Sequence, residues 1–184
     1  MSEQRTFVLV DGENIDATIG NSLLNRRPTP EERPRWERVT AYVEQLWSQP
    51  ATGLFFLNAT NGQLHTPFLQ ALLAMNYRPI PLAGRSDQKV VDIGIQRTLE
   101  ALLEIDGDVM LCSHDGDFAP QARALLGSGR RVGLLGLREY MSTELTKLGL
   151  EVYDLEDHVE AFLSPLPRVR IIPLEEFDPM RFLR

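Results

Sequence analysis

At 184 residues, the chain suits one domain and is generous for two. Its 43% hydrophobic and 24% charged residues are ordinary for a globular protein, and a net charge of −7 argues against a protein that coats nucleic acid without specificity. An enzyme acting on nucleic acid stays open, because carboxylates that hold metal ions are themselves a source of negative charge.

The lone Cys112 excludes an intramolecular disulfide, and the first apolar run is five residues long and ends in an acidic cluster, unlike a signal peptide. No stretch approaches the roughly 20 apolar residues of a membrane span, so the expected location is cytoplasmic with no membrane partner. Lys89 and Lys147 are the only lysines. The remaining cations are arginines, which suit bidentate phosphate contacts and equally a solvated surface.

In chain order, residues 6–10 read as a buried strand that stops at Asp11-Gly12. Residues 36–47 carry Trp36, Val39, Val43, Leu46 and Trp47 at helical spacing. A strand over 53–57 and a helix over 65–75 follow, with Asn76 suited to its end. Prolines interrupt the strand expected at 78–82, which marks it as an edge. A helix over 91–105 precedes a continuous apolar strand at 108–112 and a helix over 118–126. A fifth strand at 131–135, a helix over 142–148, a short sixth strand at 151–153 and a helical turn within 157–163 complete the pattern.

Strands alternating with helices predict βαβ units, hence an α/β, Rossmann-like domain over residues 1–163 with a mostly parallel sheet of five to six strands. Two segments stand outside the rhythm. Residues 21–35 form a long connection with three prolines and Arg26, Arg27, Arg33 and Arg35. The tail, 164–184, contains Arg168-Val-Arg-Ile-Ile, which alternates like a strand; packing on the edge, pairing with another subunit and partial disorder all remain open.

In a parallel α/β sheet, ligands bind beyond the carboxyl ends of the strands where strand order reverses. Asp11 follows the first strand, and Asp115 and Asp117 follow the strand at 108–112. In a 3-2-1-4-5 order these three carboxylates converge, and Asp92 joins them from the first turn of its helix, whose amino end points at the same edge. Carboxylates packed this closely raise one another's pKa, and a hard divalent cation relieves the repulsion. Oxygen-only ligands suit Mg²⁺ or Mn²⁺, and two such ions assist phosphodiester hydrolysis. His65, His114, His158 and Cys112 are too scattered for a zinc site. Taken singly, each acid has a plain alternative: Asp11-Gly12 and Asp115-Gly116 are turn pairs, Asp92 and Asp117 suit helix caps, and His114 suits an exposed turn.

Three blocks, Val8-Leu-Val-Asp-Gly-Glu-Asn14, Lys89-Val-Val-Asp92-Ile and Ser113-His-Asp-Gly-Asp-Phe118, resemble in order and spacing the signature blocks of the NYN domain family, PIN-like nucleases that include the LabA-type (DUF88) proteins. The resemblance spans about residues 5–160. It implies a PIN-type fold and metal-dependent RNA cleavage, with Asp11, Asp92, Asp115 and Asp117 as catalytic metal ligands and Asn14 and Ser113 in support. Lys89 stands where the family often has a phosphate-contacting lysine. Val90, His114 and Gly116 depart from the usual pattern, whereas the acids are intact.

The expected function is therefore a Mg²⁺- or Mn²⁺-dependent endoribonuclease acting on single-stranded RNA, with Arg26, Arg27 and Arg85 as candidate backbone contacts and a homodimer left open. The alternative is a non-catalytic RNA- or protein-binding module on the same fold. A haloacid-dehalogenase-type phosphatase fits poorly, because Glu13 stands where that reaction needs a second aspartate. A calcium loop starting at Asp115 fails because its twelfth position is Leu126.

Overall fold

The computed structural model describes residues 3–184. Six parallel strands form one sheet: β1 (Thr6–Asp11), β2 (Ala51–Asn58), β3 (Arg78–Leu82), β4 (Asp108–Cys112), β5 (Val132–Gly136) and β6 (Glu151–Asp154). Their spatial order is β3-β2-β1-β4-β5-β6. This is the expected 3-2-1-4-5 order with the short sixth strand added beside β5. The order reverses between β1 and β4, which pair from Thr6–Asp108 to Val10–Cys112.

Strand periodicity divides the core into two layers. Phe7 and Leu9 of β1 point to one face, where they meet α4 (Val90–Ala101) and α5 (Ala119–Gly127) through Val91, Ile95, Leu99, Ala122 and Leu125. Val8 and Val10 point to the other, against α1 (Gly12–Ala17) and α2 (Trp36–Trp47) through Ile15, Val39 and Val43. Leu72 of α3 (Thr66–Ala74) packs into that second layer. Every residue of β1, β4 and β5 is buried, as expected for central strands covered on both faces.

The connection after β1 differs from expectation. The chain turns directly into α1 and continues as a π-helix over Thr18–Leu24, so only residues 25–35 remain as connection, and these include a 3₁₀ turn over Pro30–Glu32. Ile15 and Ile19, four residues apart, bury the inner face of this helix. Gly12 permits the abrupt start, since a Cβ there would lie 2.5 Å from the Phe55 ring. Asn25, with φ of 55°, ends the helix in the left-handed conformation.

Two further segments carry no regular element. Residues 155–159 form hydrogen-bonded turns and residues 160–162 are irregular, with Glu160 at φ of 54°. The 168–172 stretch pairs with no strand among the described residues. Arg168 instead points inward to three carboxylates, and α6 (Thr143–Thr146) and α7 (Met180–Leu183) are single turns. Among the described residues, no helix is long and apolar enough to cross a membrane.

Candidate metal centre

The site lies at the switch point. Asp11 is the last residue of β1 and is 2% exposed. After β4, Ser113 and His114 are buried and Asp115 opens a 3₁₀ turn over Gly116–Phe118. The Asp115 Oδ1 accepts the Asp117 backbone N–H at 2.9 Å, so Asp115 caps this turn. Gly116 is needed for close approach: a Cβ would lie 2.4 Å from the Ser142 Oγ. On the opposite side, Gln96 of α4 donates to the Asp117 carbonyl at 3.2 Å and ties that helix to the turn. Asp92 sits in the first turn of α4, but Lys89 is the N-cap residue. Neither Asp92 nor Asp117 therefore serves as a helix cap, the plain alternative for each.

One oxygen from each of Asp92, Asp115 and Asp117 lies within 4.8 Å of the other two. Carboxylate oxygens this close could be shared by one divalent ion, whose ligands stand about 2.0–2.6 Å from it. Among the described residues no Arg, Lys or His forms a salt bridge with any of the four acids. The Asp92 carboxyl is pushed up by partial burial and then by the charge of Asp115, against a smaller lowering by Lys89. An all-oxygen, under-neutralised donor set of this kind fits a hard divalent ion.

Asp11 stands behind this trio. Burial pushes its pKa up to about 7, the Ser113 hydrogen bond offsets part of that rise, and the charges of Asp92 and Asp115 add to it. The Ser113 Oγ donates to the Asp11 Oδ2 at 2.8 Å and accepts the Asp115 backbone N–H at 3.1 Å. Ser113 thus links the two acids that end β1 and begin the β4 turn. The Asn14 Oδ1 accepts the His114 backbone N–H at 2.8 Å, which holds α1 against the same turn.

His114 is buried, not the exposed turn residue expected. Its Nε2 lies 2.8 Å from the Leu137 backbone nitrogen, which can only donate, so Nε2 is the acceptor. The proton therefore resides on Nδ1 and is donated to the Thr18 Oγ1 at 2.9 Å; Thr18 in turn donates to the Asn14 carbonyl at 3.2 Å. Burial pushes the His114 pKa down to about 4. Gly136 makes room for the ring, since a Cβ there would lie 2.7 Å from it. His114 and Thr18 thus brace the acidic turn against two other elements. Thr18 lies four residues after Asn14 on the same helical face, a signal that depended on reading residues 12–24 as helix.

The expected basic contacts are dispersed. Lys89 is exposed beside Asp92. Arg26 is engaged by both oxygens of Glu32 at 2.7 Å, exposed Arg27 only offers its carbonyl to Arg26, and exposed Arg85 pairs with Asp87 at 3.3 Å.

A model of the NYN domain matches residues 5–156. No curated protein matches the chain. Among solved structures, the chain is similar to a protein of unknown function, VPA0982 from Vibrio parahaemolyticus RIMD 2210633, with TM-score 0.63 and 17% identity, covering 85% of this chain and 94% of that one. That likeness concerns the fold. YcaC from Pseudomonas aeruginosa is more distant, at TM-score 0.38 and 10% identity over 87% of this chain and 80% of that one.

Proposed function

The chain belongs to the NYN domain family, and from that premise we propose that it is a metal-dependent endoribonuclease that hydrolyses single-stranded RNA. The observation that carries the reading is the meeting of Asp92, Asp115 and Asp117 at the switch point of a PIN-like sheet with no cationic partner among the described residues. These three would hold Mg²⁺ or Mn²⁺. Asp11 adds a fourth negative charge from behind, and Ser113 and Asn14 keep the turn in register with β1 and α1. When bound, the ion supplies Lewis acidity to the scissile phosphate and lowers the pKa of a water in its shell.

Asp92, Asp115 and Asp117 would hold the ion beside the scissile phosphate. Hydrolysis would add a water oxygen to phosphorus as the bond to the 3′ oxygen breaks, with a water proton ending on that oxygen, giving a 5′-phosphate and a 3′-hydroxyl. Lys89, exposed at the start of α4, would meet a phosphate of the incoming strand, and Arg27 and Arg85 are further candidates. Arg26 would first have to leave Glu32. An open strand suits an acidic edge because it presents one phosphate at a time, whereas a duplex brings two backbones. The buried, unpaired Cys112 fits a cytoplasmic setting.

Cleavage of a labelled single-stranded RNA with Mn²⁺, Mg²⁺ or EDTA tests this reading. Cutting that requires metal and is lost in Asp115→Asn supports it. A folded, metal-binding wild type that retains RNA without cutting it would instead establish a binding module.

A further inference from the structure

All sixteen residues from 169 to 184 are exposed, yet their composition is not that of a solvated segment. Half are large and apolar: Val169, Ile171, Ile172, Leu174, Phe177, Met180, Phe182 and Leu183. The base of the segment is pinned. The Arg168 side chain is 2% exposed and bonded to Glu139 and Asp154, and Arg170 pairs with Asp157. Arg168 is drawn inward while Arg170 stays on the surface with Asp157, and their neighbours Val169 and Ile171 are 93% and 98% exposed. The protein spends ion pairs to present apolar side chains to water.

We propose that this segment is a self-association surface whose occupant is the same segment of a second copy of the chain. Two observations favour a second copy over a partner of another kind. The first is area. Eight such side chains present on the order of 1,000 Å², above the few hundred that monomers commonly show. Burial of that area on both copies reaches the size of a stable dimer interface. The second is charge. Glu175, Glu176 and Asp178 precede Arg181 and Arg184, and among the described residues none of these five forms a salt bridge. An antiparallel two-fold pairing that sets Leu174 of one copy opposite Leu183 of the other also sets Arg181 opposite Glu176, a self-complementary pattern. The acidic trio disfavours an anionic membrane as occupant. The inference rests on this segment alone and is independent of the metal centre.

Sedimentation equilibrium of the full chain tests it. The wild type is expected at twice the mass of the chain at tens of micromolar. Ile171→Asp combined with Leu174→Asp is expected to be monomeric, with unchanged circular dichroism because neither side chain supports the core. Glu176→Arg and Arg181→Glu are each expected to weaken the dimer at least tenfold, and their combination to restore it to within about threefold. A monomeric wild type, whether or not it binds vesicles or other proteins, overturns the proposal. So does a dimer that survives the double aspartate variant, or charge reversals that fail to compensate.

Discussion

Around the carboxyl ends of β5 and β6, Asp154, Glu139 and Glu156 close on one guanidinium. Around those of β1 and β4, Asp92, Asp115 and Asp117 come together with no salt-bridge partner among the described residues. Arg168 lies 2.5 Å from Glu139, 2.6 Å from Asp154 and 3.2 Å from Glu156. Burial alone would raise the Asp154 pKa, but Arg168 and the backbone N–H groups of Asp157 and Arg138 hold it far below the usual carboxylate range. At the other cluster the balance is reversed: burial and neighbouring acids push Asp11 and Asp92 up. The same sheet edge therefore shows what a structural acidic cluster looks like, with its cation built in, and what one poised for an outside cation looks like.

Removing the built-in cation breaks the comparison most severely. Arg168→Met leaves three partly or fully buried carboxylates unpaired and is expected to cost about 3–5 kcal/mol in urea unfolding. A loss below 1 kcal/mol would mean that the internal ion cluster matters little.

Asp11→Asn should act in the opposite direction. Its folded pKa of about 7 exceeds the ordinary 3.8, so the folded state holds a proton that the unfolded state releases. The penalty is complete above pH 7 and fades as pH falls toward 4. In EDTA at pH 8 the variant is expected to be more stable than wild type by about 3–4 kcal/mol, an order-of-magnitude figure from linkage, with the gap closing by pH 4.

His114 has the converse sign. Its folded pKa of about 4 lies below the ordinary 6.5, so the unfolded state binds more protons between those values and stability is lost as pH falls through that window. The loss amounts to about 3 kcal/mol at its full extent. Since the Asp11 penalty is relieved over the same range, the wild-type profile should be flatter than either contribution. His114→Gln, able to accept from Leu137 and donate to Thr18, should remove the acid-side loss in thermal melts from pH 7 to 4. An unchanged profile would remove His114 from the account.

Much of this edge was legible beforehand. Buried apolar runs marked β1 and β4, and the acids at their ends needed only the 3-2-1-4-5 order to converge. The helix after β1 was also written in the sequence, in the four-residue spacing of Ile15, Ile19 and Leu23, but three prolines downstream suggested a loop starting too early. The partners of His114 were not legible: Thr18 lies 96 residues away and Leu137 lies 23, and nothing local distinguishes a buried histidine from a turn histidine. Arg168 posed the same difficulty. Its alternation with Val169, Arg170 and Ile171 left packing, pairing and disorder open, because the force that sets it is an ion cluster assembled from β6, the preceding loop and the following turn.

The central claim is that Asp92, Asp115 and Asp117 form a cation site rather than a turn that happens to be acidic. Calorimetric titration of the purified chain with Mn²⁺ tests it most directly. The account predicts saturable binding by wild type, with an accompanying rise in stability of about 2–3 kcal/mol at a hundredfold excess over Kd. Asp115→Asn should lose both, and Glu139→Gln should keep both. Absence of Mn²⁺ binding by folded wild type, or binding unchanged in Asp115→Asn, would contradict it.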